Sequence, residues 1–154
     1  MRRLLVMLAL AGSSAHAAAA RVSPIGTEPR SDSNARAHRV VAFAERQVGV
    51  RYRFGGISRH TGFDCSGLVY AAYRSIGRAI PHSTWGQMAI GMRVGFRQLR
   101  PGDLLFTEGG GHVMLVVSNR VAVEAPHTGA RVSFVRLSSL RGRFAGGRRL
   151  LVRS

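Results

Sequence analysis

Chemistry in this chain centres on Cys65, its only cysteine, which can form no intramolecular disulfide. It stands in Asp64-Cys65-Ser66-Gly67, ahead of a run from Ser66 to Ile76. In that run Leu68, Val69, Ala72 and Ile76 recur at helical spacing, and Gly77 supplies a C-terminal cap. A thiol at a helix N-terminus meets unpaired backbone N–H groups and the positive end of the helix dipole. Both favour the thiolate, the nucleophilic form. A lone cysteine is otherwise a small buried hydrophobe, so the nucleophilic reading needs a base and an orienting group nearby.

His112 is the candidate base. It follows Gly109-Gly110-Gly111 and opens the most hydrophobic strand pattern of the chain, so a sheet would fix its backbone while the ring stands at the sheet's end. Glu124 is the candidate orienter, accepting a hydrogen bond from the second ring nitrogen. Ser118-Asn119-Arg120 is short enough to join the flanking strands as a hairpin. Counted from Asn119, His112 lies seven residues back and Glu124 five forward. The two are thus close without being directly opposite, and a long side chain can reach across that diagonal.

Among the other histidines, His38, His60 and His82 lack a matching context. His127, in Ala125-Pro126-His127-Thr128-Gly129, follows Glu124 closely enough to touch the site through substrate. No Cys-x-x-Cys pair and no two histidines one helical turn apart are present, so no metal cofactor is expected. A Walker-type phosphate loop is also missing, since His112 follows the glycine run where Lys-Ser/Thr would stand.

The elements that must position these residues read as helices first and strands afterwards. A helix is predicted over His38–Val48 from Val40, Val41, Phe43, Ala44 and Val48, with Gly49 as its stop, and a short one over Ser83–Ile90 capped by Ser83. Strands are predicted over Asp103–Phe106, His112–Val117, Val121–Glu124, Val132–Val135 and Arg149–Val152. This order indicates an α+β domain with N-terminal helices packed on an antiparallel sheet.

Residues 1–17 read as a signal peptide: a basic Met1-Arg2-Arg3, an apolar Leu4–Gly12 and a small-x-small Ala15-His16-Ala17. The apolar stretch is about half of the roughly 20 residues that span a membrane, so export to a periplasm or the exterior is expected. No cysteine is placed for lipidation. Residues 18–36, rich in Pro, Ser, Gly, Asn and charge, read as a flexible arm, and 37–154 as one catalytic domain, expected to be monomeric.

Net charge is +16, from 23 Lys+Arg against 7 Asp+Glu, and falls to +14 once Arg2 and Arg3 leave with the leader. Such a potential concentrates polyanions, acidic cell-wall polymers among them. Nucleic acid is not the expected partner, because the chain carries no reader motif and no interleaved aromatic platform.

Taken in order, Arg51-Tyr52-Arg53-Phe54-Gly55-Gly56, Phe63-Asp64-Cys65-Ser66-Gly67-Leu68-Val69, Pro81-His82-Ser83 with Gln87, Leu99 to Phe106 with Pro101-Gly102-Asp103-Leu104, and Gly111-His112-Val113 resemble the NlpC/P60 cysteine peptidases. The resemblance runs over about residues 38–153. It implies a papain-like fold that cleaves bacterial cell-wall stem peptides, commonly at the D-γ-glutamyl–meso-diaminopimelate bond, with Cys65 as nucleophile and His112 as base. The family's third position is most often His; here it is Glu124, in a Val123-Glu124-Ala125-Pro126 segment similar to one found in some members. Tyr52 matches a tyrosine whose hydroxyl lies near the nucleophile, where with the Cys65 N–H it could form an oxyanion hole. Asp64 and Ser66 match positions that recognise the substrate's free amine, although both could serve as helix caps. An acyl transferase or amidase on another substrate uses the same Cys-His pair, and an exported wall-degrading effector is a further alternative.

Overall fold

The structure, a computed structural model, describes residues 30–152. The expected signal peptide and the first part of the arm lie outside the described residues. Helices α1 (Arg30–Glu45), α2 (Cys65–Arg74) and α3 (Thr84–Met88) accompany a small hairpin, β1 (Ile57–Ser58) with β2 (Gly62–Phe63). The main sheet is formed by β3 (Met92–Val94), β4 (Leu104–Thr107), β5 (His112–Val116), β6 (Val121–Glu124), β7 (Ser133–Arg136) and β8 (Gly146–Arg149). Its order is β3-β8-β4-β5-β6-β7, every pairing antiparallel.

Period-two geometry explains why β4 and β5 read as unbroken apolar runs. Alternate residues point to opposite faces, and both faces are covered. Leu104, Phe106, Val113 and Leu115 pack with Val40 and Ala44 of α1 and Leu68, Val69 and Ala72 of α2. Leu105, Met114 and Val116 pack on the other side with Val94, Leu99, Leu137 and Leu140. Tyr73 of α2, fully buried, donates from its hydroxyl to the Gly102 carbonyl at 2.6 Å and ties the helix to the β4 approach.

Two expectations are corrected. The arm read over 18–36 is helical from Arg30, so its boundary with the domain falls inside α1. Asp32 in the first turn suits the helix dipole, and Ala37 lies against Gly102, giving this polar stretch a packing site. Second, the last strand is Gly146–Arg149 rather than Arg149–Val152. A Cβ on Gly147 would come within 2.8 Å of the Val94 carbonyl oxygen, so the lack of a side chain there is what admits β8 beside β3.

Candidate active site

Cys65 is the first residue of α2, and Asp64 is its N-cap. The Asp64 carboxylate takes the Gly67 N–H on Oδ1 at 2.6 Å and the Gly55 N–H on Oδ2 at 2.8 Å, and Ser66 Oγ donates to Oδ1 at 3.4 Å. The Asp64 N–H donates to the Gly56 carbonyl at 3.1 Å. The helix start is thereby locked to the Gly55-Gly56 turn at close range, and a Cβ on Gly67 would overlap the Gly56 carbonyl oxygen. With the Gly67 N–H taken by the cap, the N–H groups of Cys65 and Ser66 have no acceptor within the helix. Cys65 is partly exposed at this point.

His112 enters β5 from a tight turn over Glu108–Gly110, where Glu108 and Gly109 have φ of 54° and 65°. The glycine run belongs to a hydrogen-bonded turn, its Gly111 N–H donating to the Glu108 carbonyl at 3.0 Å. In the hairpin register Leu115 faces Val123, which puts Glu124 opposite Met114, two residues from His112 and on the same face. The His112 Nε2–H donates to Glu124 Oε2 at 2.7 Å, with both side chains largely buried. The ring also interacts with the Cys65 side chain. Burial works against a charged ring, but hydrogen bonding and charge attraction from Cys65 and Glu124 outweigh it and raise the His112 pKa to about 9.

Tyr52 lies beside this group. Its backbone bridges to Phe63, and burial followed by the charges of Cys65 and Asp64 pushes its phenol up. Ser66 is buried, and its carbonyl accepts from Gln87 Nε2 at 2.9 Å. The same amide donates to the Pro81 carbonyl at 2.9 Å, clamping α3 and the loop before it onto the α2 start.

His127 lies in the loop after β6. It is exposed, with Nδ1 donating to the Thr128 carbonyl at 3.0 Å, and its hydrogen bonds reach none of Cys65, His112 or Glu124. His82, which reads as lacking context, is instead part of the site. Its Nε2–H donates to Asp64 Oδ1 at 3.1 Å and its ring lies against that of Tyr70, tilted by 32° with centroids 5.5 Å apart. Its place in Pro81-His82-Ser83, directly before the α3 cap, was the available signal. Among the described residues no three His, Cys, Asp or Glu side chains are grouped as a metal ion would require.

Helices laid on an antiparallel sheet, with a cysteine at a helix start and a histidine at a strand start, define an α+β domain of the papain-like class. Residues 49–153 match the NlpC/P60 family, and the chain belongs to it. It is 35% identical over 116 residues to the murein DD-endopeptidase MepH of Escherichia coli, covering 69% of this chain and 43% of that protein. With the peptidoglycan endopeptidase RipB of Mycobacterium tuberculosis it shares 32% over 138 residues, 80% of this chain and 57% of the relative. The solved RipB structure superposes with a TM-score of 0.70 at 31% identity, covering 79% of this chain and 68% of that one. Structures of RipA mutated at a cysteine, a histidine and a glutamate superpose with TM-scores of 0.63, 0.68 and 0.65, at 30%, 27% and 29% identity. They cover 74%, 82% and 74% of this chain, and 64%, 69% and 64% of those chains. The chain thus spans less than two thirds of the curated MepH and RipB sequences.

Proposed function

We propose that this chain is an exported cysteine endopeptidase that hydrolyses peptidoglycan stem peptides, at the D-γ-glutamyl–meso-diaminopimelate bond, through Cys65, His112 and Glu124. The observation that carries it is the His112 ring, engaged by Glu124 at 2.7 Å on Nε2 and interacting with Cys65. Glu124 fixes the tautomer and orientation, which leaves Nδ1 to exchange a proton with the thiol.

In the reaction, the Cys65 thiolate adds to the scissile carbonyl carbon, and the oxygen takes the charge within reach of the Cys65 N–H and the Tyr52 hydroxyl. The C–N bond breaks as the His112 imidazolium gives its proton to the departing amine, leaving a thioester. Water then adds, passing a proton to His112, and the thioester opens to the free acid and Cys65. Asp64 and Ser66 take the substrate amine in this reading, with Asp64 also holding the helix cap.

Support comes from family membership and from relatives named as peptidoglycan endopeptidases. The three residue types mutated in RipA are Cys, His and Glu in that chain order, the order of Cys65, His112 and Glu124. The basic, apolar and small-x-small pattern of residues 1–17, read as a leader, supports action outside the cytoplasm. MepH is named for a DD bond, which favours cleavage of cross-links as a second reading.

Mass spectrometry of defined muropeptides separates the two. The expected result is loss of the D-Glu–diaminopimelate linkage from uncross-linked stems by wild type and none by Cys65→Ala. Cleavage confined to cross-linked dimers would replace the bond assignment, and no cleavage by either chain would overturn the proposal.

A further inference from the structure

A groove of about 690 Å³ runs from Phe96–Leu99 past the β5–β6 turn to the start of the segment after β7. Arg97, Arg120, Arg136 and Arg141 line it, all exposed, and none of its lining residues is acidic. Only Arg141 has a side-chain partner among the described residues, its guanidinium carbon standing 5.1 Å from the centroid of the Phe96 ring. The other three guanidinium groups make no hydrogen bond or ion pair within the described residues. Four like charges gathered on one groove repel each other, and that repulsion is relieved only by anions that enter it.

The groove shares no residue with the Cys65 site. It sits at the turn end of the β5–β6 hairpin, whereas His112 and Glu124 occupy the open end. Four residues from Val116 to His112, at about 3.3 Å each, separate the two by roughly 13 Å or more. A ligand in the groove therefore does not occupy the Cys65 site.

We propose that this groove is a second docking site for the peptidoglycan strand, taking the carboxylates of stem peptides next to the one being cut. All 23 basic residues of the chain are arginine, and the guanidinium fork matches a carboxylate with two parallel hydrogen bonds. A polymer with carboxylates at intervals can meet several of these arginines at once, which a single small anion cannot. Nucleic acid fits less well, because the one aromatic ring of the groove is already covered by Arg141 and packed edge-on against Phe144 at 5.4 Å, leaving no platform for bases. The identity of the polymer rests on the proposed function; the basic groove does not.

The test uses the full chain carrying Cys65→Ala, sedimented with purified sacculi stripped of phosphodiester polymers. Adding Arg120→Gln and Arg136→Gln is expected to weaken binding about tenfold, with only the part due to charge restored by Lys at both positions. Raising salt to roughly 0.5 M is expected to release the parent chain. In the active chain, the Gln pair is expected to slow digestion of sacculi while leaving turnover of a soluble muropeptide unchanged. Equal sedimentation by parent and Gln variants would overturn the proposal. So would binding only to sacculi that retain phosphodiester polymers, or to single-stranded DNA and not to sacculi. Because the sedimentation chain is inactive, this readout is separate from whether the active chain cuts any muropeptide.

Discussion

Glu124 reaches His112 across the diagonal of a β-hairpin, since the register that pairs Leu115 with Val123 sets Glu124 against Met114, two residues along the strand from His112. The 2.7 Å bond therefore depends on side-chain length as well as charge. Glu124→Asp, one methylene shorter, is expected to lose most of the contact, and Glu124→Gln to keep the geometry without the charge. Removing the orienter should cost on the order of 100-fold in kcat for Glu124→Ala, with Gln least affected and Asp between them. Steady-state kinetics on one muropeptide would measure this, and an undiminished Ala variant would remove Glu124 from the mechanism.

His112 carries a pKa of about 9 against an ordinary 6.5, because its hydrogen bonds and charge attraction to Cys65 and Glu124 exceed the opposing effect of burial. The imidazolium proton needed by the leaving amine is thus present at neutral pH and lost as pH rises through about 9. Activity should show its alkaline limb there, and Glu124→Gln should move that limb to lower pH. Linkage gives the same sign for folding. The stabilisation from the protonated ring is complete below 6.5 and disappears as pH climbs to about 9. Thermal unfolding of wild type against His112→Phe over that window would show the difference narrowing.

Much of this arrangement is legible in the residue pattern, and the parts that are not share a physical cause. The α2 start, the Ser118–Arg120 turn and the diagonal offset of Glu124 follow from local spacing, because hairpin register is set by the turn. Strands β3 and β8 escape that reading since their pairing depends on Gly147 admitting Val94 at close range, a contact between segments distant in sequence. The start of α1 is hidden for a similar reason. Polar residues 30–36 resemble a linker until Ala37 is seen against Gly102. His82 reaches Asp64 where Gln87 clamps Pro81 to the α2 start, a contact between segments distant in sequence to which only the Pro81-His82-Ser83 pattern points.

The absence of a side chain at Gly67 permits the α2 start to lie on the Gly55-Gly56 turn, where a Cβ would overlap the Gly56 carbonyl oxygen. Gly67→Ala would raise helix propensity in isolation but here must push the turn away. We expect a net loss of about 1–3 kcal/mol by chemical denaturation, together with a larger fall in kcat as Tyr52 and the Cys65 N–H lose their relative placement. A more stable Gly67→Ala chain would refute the close approach.

Asp64 has two candidate duties, and one pair of variants separates them. As N-cap it satisfies the Gly67 N–H and ties down Gly55, so Asp64→Ala should cost about 1–2 kcal/mol of stability. Serine also caps a helix, so Asp64→Ser should recover most of that loss while removing the negative charge. If the carboxylate takes the amine end of the stem peptide, Asp64→Ser will fold well yet show a raised KM for substrates with a free amine, and an unchanged KM when that amine is acetylated. A Ser variant with wild-type KM on both would confine Asp64 to holding the helix that carries Cys65.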